Sequence, residues 1–321
     1  MLPYLAKIGT ILIPTHAVTM CLAYLIGVIG FFYWVRKAED MDMNVILNFV
    51  FLTVMAAIIG ARISAVFMLS SPEQLAWFLS HPVEILKFWK GGESLYGVVI
   101  GVIGIGSWYC LRRDLPIRKV TDLTIPWVAI GMLIQHFGCL GAGCHPGTPT
   151  DLPWGFIYHH PLFKGPRNVP LHPYPLYMVM MTIPGIILSW SWVKIKYFGS
   201  RTFSWINNNF LSSFLRVRFI EGELLLLAGI YYSFFRFFIE FTRHPMTQIY
   251  YCGFFLSQSQ LACVFIFFLT LFGLLALWAY DDSQKGRREH DWWLKQLLKM
   301  VAGMEWVSKR FPWPVKGKAG G

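Results

Sequence analysis

A few polar residues stand where an apolar chain ought not to hold them. Arg62 follows Gly60-Ala61 late in one long apolar run, and Arg236, Glu240 and Arg243 share another. An ionisable side chain in hydrocarbon costs several kcal/mol unless it faces protein or water. Spacings of four and three place Arg236, Glu240 and Arg243 on one helix face, where Glu240 can pair with either arginine. Such a stripe reads either as a structural pair fixing helix register or as an anion site. In the second reading one arginine is left to meet a phosphate through its planar fork, with Arg62 added to the cluster. A second group is Gly91-Gly92-Glu93-Ser94-Leu95-Tyr96-Gly97, where paired glycines before a helix let backbone amides approach a ligand, or simply mark a turn. The third is His136-Phe137-Gly138-Cys139-Leu140-Gly141-Ala142-Gly143-Cys144-His145, continuing through Pro146 to Gly155. Its glycine density predicts irregular backbone lining a cavity. His136, Cys139, Cys144 and His145 suit zinc in number and type, yet their spacing matches no common zinc module. A Cys139–Cys144 disulfide and free thiols are the other readings. We assign no metal and no cofactor from the sequence.

These residues must be positioned by membrane-spanning helices. The chain is 55% hydrophobic and only 14% charged, against about a quarter charged in soluble domains. Apolar runs near the length that crosses a hydrocarbon core recur throughout. We predict an all-α polytopic membrane protein with seven spans: Ala17–Val35, Asn44–Leu69, Leu95–Leu111, Thr124–Cys139, Tyr177–Val193, Gly222–Phe241 and Phe254–Tyr280. The fourth is the most diluted by polar residues. No cleavable leader pattern precedes the first, which is expected to remain as a helix. Lysine and arginine concentrate in the first, third and fifth loops and in the tail, so the positive-inside rule puts the N-terminus outside and the tail in the cytoplasm. Residues 1–280 form the membrane domain and 281–321 a basic amphipathic tail on the inner leaflet. Residues 201–218 and the interfacial stretch Ser71–Gly92 carry the same mixture of aromatic and basic residues. The net charge of +11 fits loops resting on anionic lipid and needs no nucleic acid.

In this order the motifs resemble those of the prolipoprotein diacylglyceryl transferases, over about Thr15 to Tyr280. Gly60-Ala61-Arg62 is similar to the glycine–arginine motif of the second helix, and Gly91 to Gly97 to the glycine-rich motif before the third. Asp122, Pro126 and Gly131 lead into the signature. Gly138-Cys139 to Thr150, with Asp151-Leu152-Pro153-Trp154-Gly155, resembles its cysteine-containing branch. Leu171-His172-Pro173-Tyr174-Pro175-Leu176-Tyr177 resembles the histidine–proline motif, and Arg236, Glu240 and Arg243 the arginine–glutamate–arginine helix. Departures are visible: Met20 stands where a tyrosine is expected, Tyr96 where many members carry histidine, His136 where the signature begins with arginine, and Cys139 where asparagine is common.

The resemblance implies an enzyme of the bacterial inner membrane that moves the diacylglyceryl group of phosphatidylglycerol to the thiol of a lipobox cysteine in a prolipoprotein signal peptide, releasing glycerol 1-phosphate. Thiolate attack with phosphate departure needs a proton acceptor and cations for the leaving group. Arg236 and Tyr96, with His136 added for its own chemistry, are the expected catalytic residues. Arg62, Gly91, Gly92, Asp122, Gly138, Glu240 and Arg243 are the implied substrate-binding set. His136, with a reference pKa of about 6.5, is the better proton acceptor, and Tyr96 the better orienting group. Two other readings use the same anion site: a transferase with another acceptor, and a lipid-binding protein without turnover.

Overall fold

The computed structural model describes residues 4–8, 11–38, 41–68, 72–85, 95–159, 165–199, 219–245 and 256–310, with the side chains of Lys7, Ile8, Ile11, Leu12, Met68, Pro72, Leu95, Tyr96 and 286–310 outside the description. A short hairpin, β1 (Tyr4–Ile8) and β2 (Ile11–Pro14), precedes α1 (Thr15–Lys37). There follow α2 (Met43–Met68), the short α3 (Pro72–Ser80) and α4 (Pro82–Ile85), α5 (Leu95–Arg112) and α6 (Ile117–Ala142). A two-stranded ribbon, β3 (Phe156–Ile157) with β4 (Pro170–Leu171), leads into α7 (Tyr174–Phe198). Then come α8 (Glu223–Ile239), a 3-10 turn (Glu240–Thr242) and α9 (Gln258–Arg310).

Among the described residues six helices are long and apolar enough to cross a membrane: Thr15–Lys37, Met43–Phe67, Ile117–Ala142, Tyr174–Phe198, Glu223–Thr242 and Gln258–Lys285. The protein is therefore a polytopic, mainly helical membrane protein. The remaining apolar helix, α5, coincides with the expected third span; the part of it with described side chains, Gly97–Arg112, is shorter than those six. Large apolar side chains stay exposed along the outside of the helices, Phe51, Ile100, Ile103 and Met180 among them, each more than 60% open. In water such surface would be a liability; against lipid it is the solvent-facing surface.

Helices pair as α2 with α5, α1 with α6, α6 with α7, and α8 with α7 and α6. Without a hydrophobic drive between helices in lipid, close packing of small residues decides the partners. A β-carbon on Gly97 would meet the Gly60 carbonyl, and one on Gly101 the Ala56 carbonyl, so α2 and α5 touch backbone to backbone. Where α1 ends and α6 begins, Trp34, Val35, Ile46, Val120, Leu123, Trp192, Val193 and Leu224 form a packed core. Trp34, Trp127 and Trp190 meet edge to face with centroids 4.5–5.1 Å apart.

One local expectation is overturned. The glycine-rich stretch is helical through Ala142 and stops at Gly143, whose φ of 71° supplies the left-handed cap. Gly138 does not break the helix because it faces α1 so closely that a β-carbon would overlap Thr19.

The tail continues as helix from the last span to Arg310. By compactness the chain divides into residues 1–270 and 271–321. The side-chain pattern expected of the tail, and the segment 201–218, lie outside the described residues.

Candidate active site

The site is built where α8 ends, α6 ends and α7 begins. Glu240 is completely buried and closes the last turn of α8. It pairs with Arg236 (Nη2–Oε2, 3.1 Å) and Arg243 (Nη1–Oε1, 3.0 Å). The three do not lie on one continuous α-helix: after Ile239 the chain tightens into a 3-10 turn and Arg243 is extended. Both ion pairs survive because Glu240 sits at the junction. Tyr174, at the start of α7, donates its hydroxyl to Glu240 Oε2 (3.0 Å). The same ring lies beneath both guanidinium groups, 5.3 Å from Arg236 and 5.9 Å from Arg243. A buried carboxylate with three strong partners is satisfied rather than stranded. The group as a whole still carries one net positive charge. Arg236 retains most of its donor capacity: besides Glu240 its N–H groups donate only to the Met178 sulfur, 3.3 Å away, among the described residues, and a guanidinium has five N–H donors.

The loop after α6 is stitched to this group through its backbone. Thr148 N donates to Thr242 O (2.9 Å), His244 N to Pro146 O (2.9 Å) and His172 N to Thr148 O (2.9 Å). Gly147 bridges to Arg243, and a β-carbon there would strike the His172 carbonyl. These links hold His145 at φ 55°, in the left-handed region that a side chain disfavours. Arg243 Nη2 donates to its Nδ1 (3.2 Å), so that nitrogen is unprotonated. Packing around the ring, then the charges of Arg243 and Arg236, hold His145 below the ordinary histidine range even though one edge meets solvent. Its electrostatic neighbours also include His16 and His136, which brings the histidines of α1 and α6 to the same region.

His136 lies three residues before Cys139 on α6, and its Nε2 is buried with no hydrogen-bond partner among the described residues. Cys139 is buried and Cys144 partly so; both are free thiols. A hydrogen bond from Cys139 lowers the Cys144 thiol below the usual range, against the opposing effect of burial. His16, in the first turn of α1, faces this pair, with its Nδ1 3.8 Å from Cys139 Sγ. Sequence reasoning passed over His16, whose only signal is a histidine opening an apolar helix 123 residues from its partner. Tyr174 was noticed only as part of a motif.

Arg62, Asp122 and Gly138 make other contacts. Arg62 donates from Nε to Ile85 O and from Nη2 to Glu84 O, both at 2.9 Å, and stacks over Phe78 at 5.6 Å. It therefore holds the segment that leads towards Gly91 and Gly92. Those two glycines and the Tyr96 side chain lie outside the described residues. Asp122 belongs to the expected substrate-binding set. It lies on the first turns of α6, about 21 Å along the helix from His136. Its Oδ2 accepts from Tyr197 OH (2.9 Å) and Gly222 N (2.7 Å). A buried carboxylate at the N-terminus of α8 satisfies a helix-start amide there, while its Oδ1 is buried with no hydrogen-bond partner among the described residues. Gly138 permits the approach of α1 to α6.

The fold and site thus define a polytopic membrane protein with a buried, net-positive arginine–glutamate–arginine group beside a histidine- and cysteine-bearing helix end. A sequence profile described as prolipoprotein diacylglyceryl transferase matches residues 3–277, and the chain belongs to that family. Relatives named phosphatidylglycerol–prolipoprotein diacylglyceryl transferase include one from Wolbachia of Drosophila simulans, 28% identical over 82% of this chain and 89% of its own. Another, from Wolbachia of Brugia malayi, is 29% identical over 85% and 92%. One from Pseudomonas putida is 29% identical over 81% and 88%.

Proposed function

We propose that the protein is a phosphatidylglycerol–prolipoprotein diacylglyceryl transferase of the bacterial inner membrane. The observation that carries this is Arg236: a guanidinium on a side chain only 17% exposed, oriented by Glu240 and Tyr174, with donors left for an anion. In the reaction the acceptor cysteine sulfur bonds to the glyceryl carbon of the lipid as that carbon's bond to the phosphate oxygen breaks. The thiol proton leaves to a base, and glycerol 1-phosphate departs. Arg236 receives the phosphate bidentately, while Arg243 and Glu240 fix its orientation. His136 Nε2, buried and without a partner among the described residues, takes the thiol proton. Tyr96 orients the headgroup, and Gly91 and Gly92 give it close backbone access. Arg62 acts by holding the outer segment in place, and Gly138 by letting α1 and α6 close.

We read seven spans, counting α5, with the N-terminus outside and the tail inside. The anion site then faces the outer leaflet, where a lipobox peptide arrives, and residues 281–321 rest on the inner leaflet.

The test is transfer by the purified protein in phosphatidylglycerol micelles. Phosphatidylglycerol should be consumed, with glycerol phosphate released, only when a lipobox peptide is present, and not when its cysteine is serine. Consumption without peptide would point instead to a transferase with another acceptor. Lipid binding with no consumption would leave a binding protein.

A further inference from the structure

The transfer chemistry leaves one cluster unused. His16 from the first turn of α1, Cys139 from the last turn of α6 and Cys144 from the loop beyond it present their ring nitrogens and sulfurs within 4.8 Å of one another. Two thiols and an imidazole are the donor set of choice for a soft or borderline d10 cation. With Zn–S near about 2.3 Å and Zn–N near about 2.0 Å, tetrahedral ligands stand roughly 3.5–3.8 Å apart. The His16 Nδ1–Cys139 Sγ separation is already 3.8 Å. The remaining approach is within the reach of side-chain rotation, because Cys144 follows the left-handed cap at Gly143 and is tethered by its N–H to Cys139 O at 3.0 Å.

A further group points the same way. Gln135 sits one turn below Cys139, with Nε2 3.2 and 3.3 Å from the two ring nitrogens of His16 and 4.0 Å from Cys139 Sγ. Its Oε1 is buried and has no partner among the described residues. Rotating the amide by half a turn would bring that oxygen to the place Nε2 now holds beside His16 and Cys139, aimed at the fourth coordination position.

We propose that His16, Cys139 and Cys144 form a binding site for a thiophilic d10 cation such as Zn²⁺, with the Gln135 amide oxygen or water completing the tetrahedron. Two thiolates balance the dication, so occupancy adds no net charge beside Arg236 and Arg243. The bound ion would clamp the start of α1 to the end of α6 and fix the loop that carries His145. It is a positioning site and takes no part in the transfer step.

The test uses the full-length protein in detergent, reduced without oxygen, freed of reductant, exposed to Zn²⁺ and desalted. Wild type should retain about one zinc per chain. The Cys139→Ser/Cys144→Ser double variant should lose it, and His16→Gln should weaken retention at least tenfold against a chromogenic chelator. Co²⁺ in place of zinc should give a thiolate-to-cobalt charge-transfer band in wild type and none in the double variant. Should the double variant fail to fold, wild type still decides the matter by mass spectrometry after alkylation. Zinc must then slow modification of Cys139 and Cys144 while leaving the exposed Cys21 unaffected. Equal zinc retention in wild type and double variant would overturn the proposal. So would unprotected alkylation, or recovery of Cys139 and Cys144 as a disulfide with no retained metal.

Discussion

Replacing Arg236 by alanine separates an anion-binding role from a purely structural one. Glu240 is fully buried, and stripping a buried carboxylate of its partner generally costs about 3–5 kcal/mol. Here Arg243 and Tyr174 remain on the two carboxylate oxygens, so the loss of stability belongs at the lower end, about 3 kcal/mol. The chemical loss is separate. Removing a preorganised donor from developing charge costs about 2.7–4 kcal/mol, or roughly 10²–10³ in turnover. Arg236→Lys restores a charge that reaches Glu240 but not the planar fork. It should recover most of the stability and little of the turnover. The assay pairs thermal unfolding in detergent with peptide-dependent release of glycerol phosphate, corrected for folded protein. An anion-binding Arg236 requires Arg236→Lys to be near wild type in the first measurement and at least tenfold down in the second. If both variants turn over within tenfold of wild type, Arg236 only braces Glu240 and the phosphate lies elsewhere.

Tyr174→Phe keeps the ring under both guanidinium groups and deletes one charged hydrogen bond; it should cost about 1.5–3 kcal/mol in thermal stability, with a smaller loss in turnover than Arg236→Ala. Asp122→Ala should destabilise by a similar amount through the start of α8, while KM for phosphatidylglycerol and turnover per folded molecule stay unchanged; a rise in KM would return Asp122 to the substrate site. His136→Ala should lower turnover about 10²-fold or more and leave lipid binding intact, whereas Tyr96→Phe should raise KM more than it lowers kcat. Near-normal turnover in His136→Ala would remove it as the proton acceptor.

Six of the seven expected spans were legible because apolar length is a one-dimensional property, and the Arg236–Glu240–Arg243 pairing because spacings of four and three are local. What escaped the sequence was long-range or depended on a partner. Gly138 and Gly141 look like helix breakers, yet α6 runs through them, since in lipid a glycine opposite Thr19 is a packing surface. Asp122 looks like a site residue because a carboxylate in a span demands an explanation. One partner of its Oδ2 lies 100 residues away in the amide of Gly222, which no local pattern announces. His16 meets Cys139 across a similar gap. Arg62 was read as a phosphate ligand, and its described hydrogen bonds go to the carbonyls of Glu84 and Ile85, in a segment whose fold the sequence left open.

The departure at His136 gains meaning when charge is followed through the proposed reaction. Phosphatidylglycerol brings a diester with one negative charge, which the net single positive charge of Arg236, Glu240 and Arg243 can match. Glycerol 1-phosphate leaves as a monoester, approaching two negative charges near neutral pH. A site holding a second permanent arginine charge would meet the product well but would carry an uncompensated cation before the lipid arrived, which is costly at membrane depth. A histidine supplies that charge only when needed. On taking the acceptor thiol's proton, His136 becomes cationic as the phosphate gains its second charge, and it can return the proton as the product leaves. In the proposed reaction a histidine at 136 therefore supplies a cation created by proton transfer, in electrostatic contact with Arg236. It also ties electrostatic stabilisation to proton transfer, so loss of His136 should weaken both together, and no added cation at a neighbouring position should restore turnover without also restoring a proton acceptor.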